Sequence, residues 1–140
     1  MEQGKTIDQL NIGEKASLTK QITESDVLRF AEVTGDRNPI HLDPEYASKT
    51  RFKERIAHGM LTASLISAVI STRLLGPGNI YVSQSLEFKA PVKLGDVIQA
   101  EVELIEKIPE KNRVRLKTTC RNQDGTVVID GEAIVLPRRG

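Results

Sequence analysis

Two histidines occur in this 140-residue chain, each inside a short stretch rich in turn formers: Thr34-Gly35-Asp36-Arg37-Asn38-Pro39-Ile40-His41 and Ile56-Ala57-His58-Gly59-Met60. An imidazole titrates near neutral pH, and paired with a carboxylate it can take up and return a proton during a reaction. Asp36 and His41 stand five positions apart with Pro39 between them. Proline fixes its own φ and drives the residue before it, Asn38, toward an extended conformation. The stretch is therefore read as a rigid, non-helical turn that aims both side chains at one point, with room for one water molecule. Spacing alone leaves a second reading open, in which Asp36 caps the following turn and His41 is a partly buried histidine bonded to backbone. The rigid loop favours chemistry, since functional groups concentrate in such segments.

The second stretch leads directly into a long apolar segment, so the Gly59 amide should sit at or near a helix N-terminus, where free N–H groups attract developing negative charge. Glycine also lets a ligand approach the backbone closely. A plain helix start, with His58 packed near the turn, is the alternative. Ser67 lies eight positions beyond Gly59, slightly over two turns, on roughly the same side of the helix, and could orient a catalytic side chain from below. Ser64 and Ser71 are expected to bond the carbonyls four residues back. No phosphate-binding glycine pattern, metal-ligand spacing or nucleophile elbow occurs, so the expected chemistry is acid–base chemistry without metal or cofactor.

These residues need elements to hold them. Ala16, Leu18, Lys20 and Ile22 alternate with their neighbours as a short edge strand would. Thr23 caps a helix running from about residue 24 to 34, with Val27, Phe30 and Ala31 on one face and Gly35 as its stop. Asp43-Pro44 starts a short helix ending near Lys49. From Gly59 to Leu75 apolar residues spread almost all round the helical wheel, the mark of a buried helix, until Gly76-Pro77-Gly78 ends it. After that the period changes to two. Val82 to Phe88, Ile98 to Leu104, Val114 to Cys120 and Thr126 to Leu136 read as half-buried strands, the last three joined by turns at Pro109–Asn112 and Gln123–Gly125. One strand, then helices, then antiparallel strands is an α+β order, with the sheet wrapping the long helix and one sheet edge free to pair in a dimer.

Composition narrows the rest. A chain of 140 residues is read as one domain spanning 1–140, able to bury a core without disulfides or metal. Twenty basic and 19 acidic side chains give a formal charge of +1, without the basic excess of a nucleic-acid binder. The apolar run from Met60 to Leu75 is broken by Ser, Thr and Arg73 and falls short of the roughly 20 residues a bilayer needs, so no membrane span is expected. The single cysteine, Cys120, and an N-terminus without a leader pattern suggest a cytoplasmic protein.

Gly35-Asp36-Arg37-Asn38-Pro39-Ile40-His41 resembles the hydratase motif of the MaoC-like (R)-specific enoyl-CoA hydratases. The likeness continues through Ala57-His58-Gly59-Met60 and Ser67, and more loosely through Gln84–Val92 and Gly95-Asp96 to the last strand. The resemblance implies a hot-dog fold, an antiparallel sheet wrapped around one long central helix, in homodimers. It implies that Asp36 and His41 are the catalytic pair, that the Gly59 amide meets the thioester carbonyl, and that Ser67, with Asn38 and His58, supports the pair. The reaction implied is (R)-specific, reversible hydration of trans-2-enoyl-CoA to (R)-3-hydroxyacyl-CoA, with coenzyme A entering only as part of the acyl-CoA substrate. Short bacterial members of this kind feed polyester synthesis from fatty acid oxidation. The alternatives are a 3-hydroxyacyl-[acyl-carrier-protein] dehydratase or a non-catalytic acyl-thioester-binding subunit.

Overall fold

Capping chemistry sets the first helix. The computed structural model describes residues 2–140, and in it Thr23 accepts a hydrogen bond from the Asp26 amide while the Asp26 side chain returns to the Thr23 amide. This reciprocal cap opens α1, Glu24–Thr34, and Gly35 closes it in the left-handed region at φ 81°. Before it runs β1, Lys15–Gln21, which pairs with one neighbour and so forms a sheet edge.

The stretch from Asn38 to His41 is not the non-helical turn expected from sequence. Pro39–Leu42 forms one helical turn, α2, with Asn38 as its cap and Pro39 as its first residue. Asn38 is extended (ψ 125°), as a residue before proline must be, but Pro39 itself is pre-set for a helix start, where its missing N–H costs nothing. The next helix, α3, Pro44–Ser48, begins at Asp43, whose carboxylate accepts from the amides of Glu45 and Tyr46.

The central helix, α4, spans Gly59–Val69 and continues into a π-helical turn, Ile70–Leu74, so the long helix is regular only over its first three turns. Its inward face carries Leu65, Ile66, Val69 and Ile70. Its other face, with Met60, Ser64 and Ser67, stays exposed in the single chain, so the helix is not buried all round. Ser64 bonds the Leu61 carbonyl three residues back rather than four, and Ser71 makes no such bond, its hydroxyl instead accepting from Asn79.

Six antiparallel strands follow the order β1-β4-β5-β6-β2, with β3 also on β6. β4, Val97–Ile108, turns its buried residues Ile98, Ala100, Val102 and Leu104 toward α4, and β5, Arg113–Arg121, does the same with Val114, Leu116, Thr118 and Cys120. The hairpin between them turns at Asn112, at φ 50°. β6, Val127–Leu136, completes the wrap. The strand expected over Val82 to Phe88 is two pieces, β2, Ile80–Gln84, and β3, Glu87–Phe88, with a bulge after Tyr81. It lies at the other sheet edge, and most of it is exposed rather than half-buried. Between its pieces the chain crosses β6 at Gly131, where an added Cβ would lie 1.9 Å from the Ser85 carbonyl oxygen.

The whole is a sheet curled around one helix, a hot-dog fold. Gly131→Ala should therefore push the β2–β3 segment off β6 and cost about 1–3 kcal/mol of stability, read as a lowered midpoint in chemical denaturation.

Candidate active site

The two turns singled out in the sequence meet at the N-terminal end of α4. Asp36, His41 and His58 each offer one potential ligand atom, and these atoms lie within 4.8 Å of one another. Such a trio could also receive a divalent cation, a grouping that the positions 36, 41 and 58 do not suggest as a sequence motif. All three line a cavity of about 430 Å3 together with Gly59, Thr62, Arg51, Phe52, Phe88 and the apolar residues Ile56, Ala57, Val92 and Ile129.

Backbone carbonyls decide what each imidazole can do. His41 Nδ1 lies 2.7 Å from the Ile56 carbonyl oxygen. A carbonyl only accepts, so Nδ1 carries the hydrogen and Nε2 is left with a free lone pair, the form a general base requires. His58 Nε2 donates in the same way to the Asp36 carbonyl at 2.9 Å. The two rings stack with centroids 3.9 Å apart, and Phe30 of α1 closes on His58 from elsewhere at 4.7 Å. His58 thus touches both partners: it holds the backbone of Asp36 and packs against the ring of His41.

Arg55 adds a brace that the sequence does not reveal. Its Nε donates to the His41 carbonyl at 2.8 Å and its Nη1 pairs with Glu24 of α1 at 2.9 Å. One more arginine in the charged run Arg51–Arg55 carries no periodic signal, and the contact is 14 residues away in sequence. The Ile56 carbonyl is likewise invisible, because it belongs to the backbone.

Burial holds the His41 imidazole below its ordinary value of 6.5; the bond to Ile56 works against this, His58 works with it, and Asp36 works against it. Asp36 is exposed in the single chain and accepts a bond from the Asn38 amide at 3.3 Å. The two plain readings of this stretch, a capping Asp36 and a backbone-bonded His41, therefore hold as well, and they are what orients the pair. Asn38 lies outside the cavity lining; its side chain accepts from the Ile40 amide at 3.2 Å and so starts the turn that carries His41.

Gly59 is the first residue of α4, and its cap His58 supplies no side-chain bond. Among the described residues no acceptor meets the Gly59 amide, leaving it free at the cavity wall. An added Cβ there would lie 2.6 Å from the half-exposed Phe88 ring, so a larger residue would have to push that ring aside. Ser67 is not brought to the pair. It lines a second hollow with Phe30, Met60, Tyr81, Gln84 and Leu86 on the exposed side of α4.

This arrangement can polarise one water with a carboxylate and an imidazole while an amide faces an oxygen that gains charge. Burial of the His41 ring predicts an NMR titration in which it protonates below 6.5; it is neutral at higher pH and gains its charge only as the pH falls through that lowered value. A titration at or above the free-imidazole value would show that the Ile56 bond and Asp36 outweigh burial at this ring.

The chain is similar to several known proteins. The family profile described as "MaoC like domain" matches residues 9–125. The chain is 55% identical to a 3-hydroxybutyryl-CoA dehydratase of Methylorubrum extorquens over 128 residues, covering 91% of this chain and 81% of that protein. It is 55% identical to an (R)-specific enoyl-CoA hydratase of Rhodospirillum rubrum over 129 residues, covering 91% and 89%. Its structure superposes on that of the unliganded R-hydratase of Pseudomonas aeruginosa with a TM-score of 0.91 at 53% identity, covering 97% of this chain and 88% of that one.

Proposed function

The chain belongs to the MaoC-like family, and from that we propose that it is a hydro-lyase that hydrates trans-2-enoyl-CoA to (R)-3-hydroxyacyl-CoA, reversibly, with Asp36 and His41 activating the water. The observation that carries this reading is the His41 imidazole, its Nδ1 held by the Ile56 carbonyl, within 4.8 Å of the Asp36 carboxylate at a cavity lined by Gly59, whose amide is unbonded.

Water sits between Asp36 and His41. As its oxygen bonds to the β-carbon, His41 Nε2 takes its proton, and the electrons of the double bond move toward the α-carbon and the thioester oxygen. The Gly59 amide donates to that oxygen where charge accumulates; loss of such a donor typically costs a hundredfold or more in rate. The pair then returns the proton to the α-carbon on the same face, so addition is syn and one enantiomer results. Every proton in the cycle moves between water, the pair and the substrate, so the reading calls for no metal or cofactor beyond the coenzyme A of the substrate itself. Asn38 and His58 serve as positioning residues through the bonds described above.

The same reading takes the chain as one hydratase domain that works as a homodimer in the cytoplasm. In support of a dimer, Met60, Tyr81, Val82 and the second hollow with Ser67 form an exposed, largely apolar face at one edge of the sheet. Ser67 lines that hollow, so a supporting role for it requires the face to be covered. In support of a reducing compartment, Cys120 is buried and free. Among the described residues no helix is long and apolar enough to cross a membrane.

Asp36→Asn and His41→Gln are each expected to slow hydration of crotonyl-CoA by about 10²–10⁴-fold, followed as loss of the enoyl absorbance, with unchanged circular dichroism; full activity in both would rule out the pair. Light scattering on the eluting protein should give twice the chain mass, and Val82→Glu, placing a charge on the apolar edge, should shift it toward one chain.

A further inference from the structure

The cavity has a polar floor that the hydration step does not use. In the single chain its rim is open, with Met60 and Phe88 57% and 53% exposed. Its inner end is closed by His58, Thr62 and Ile129, which are 2%, 0% and 1% exposed. At that end His58 Nδ1 and Thr62 Oγ1 are both buried, and neither has a hydrogen-bond partner in the protein.

The two residues stand four positions apart at the start of α4, His58 as its cap and Thr62 in its first turn, and both line the cavity. A helical threonine ordinarily bonds the carbonyl four residues back, as Thr72 does with Ala68 at 2.6 Å. For Thr62 that carbonyl belongs to His58 and already accepts from the amides of Leu61 and Thr62. The ring of His58 is equally committed, its Nε2 being spent on Asp36. Two buried polar atoms in an otherwise apolar pocket end therefore remain for a ligand, and buried polar groups in folded proteins are nearly always bonded. A buried water takes two to four such partners.

We infer that His58 and Thr62 together bind one water molecule at the buried end of the cavity, and that Thr62 thereby restricts the acyl group to short chains. The inference rests on the hydratase reading above. A four-carbon enoyl group leaves this water in place. A longer saturated tail reaching the floor must displace it and set methylene groups against two polar atoms that gain no replacement bond, a mismatch expected to cost tenfold or more in kcat/KM.

The test compares hydration of crotonyl-, 2-hexenoyl- and 2-octenoyl-CoA by the wild type, Thr62→Val and Thr62→Ser. Valine keeps the branched shape and removes the hydroxyl; serine keeps the hydroxyl. The wild type should prefer crotonyl-CoA, Thr62→Val should raise kcat/KM for the longer substrates relative to crotonyl-CoA about tenfold, and Thr62→Ser should keep the wild-type ratio. A wild type that favours the longer chains, a ratio that Val leaves within twofold of the wild type, or an equal change with Ser would each overturn the inference while leaving the hydratase reading intact. No hydration of any of the three by the wild type would overturn both.

Discussion

The hydrogen bond from His41 Nδ1 to the Ile56 carbonyl is the constraint on which the site depends, because it settles which nitrogen of the imidazole can act. A carbonyl oxygen has no hydrogen to give, so the ring must present its other nitrogen to the cavity as a lone pair. Were residue 56 to turn its carbonyl away, the ring could flip or exchange its hydrogen, and the face opposite Asp36 would lose its base. The backbone around Ile56 is correspondingly well tied. Its amide donates to the Ile40 carbonyl, it bridges Lys93, and the next amide donates to Val92. The geometry of the candidate site is a property of main-chain bonds between loops far apart in sequence.

His58 extends the same logic. It ends one loop, opens the central helix, donates to the carbonyl of Asp36 and stacks on His41. The electrostatic result is a base kept neutral mainly by burial and partly by a second imidazole, while the carboxylate stays at the exposed rim. The imidazole thus lies in the drier part of the site and the carboxyl group at its edge.

Much of this was legible in the sequence wherever the signal is local. The span of α1 follows from Thr23, Asp26 and Gly35, because a cap acts on amides within one turn, and the inward residues of β4 and β5 follow from strict alternation on strands with one buried face. The Asp36, His41, His58 and Gly59 cluster was also readable, through turn residues and a helix start. What could not be read depends on the third dimension. The Pro39 turn is an exception, since the Asn38 cap that starts its helix acts locally and stands in the sequence. The β2–β3 break comes from its crossing at Gly131 on another strand. Arg55, the Ile56 carbonyl and the lack of contact between Ser67 and the pair are all matters of tertiary placement.

The double duty of residue 58 has a mechanical corollary. Because the first residue of the central helix borders the cavity and its cap holds the Asp36 backbone and packs on the His41 ring, the axial position of that helix is also the vertical setting of the candidate site. Its far end, a wider π turn, is anchored by Ile70 and Leu74 in the same core as Leu65, Ile66 and Val69. Redesign of the pocket is then safest on the helix flank, where it leaves that register against the sheet untouched.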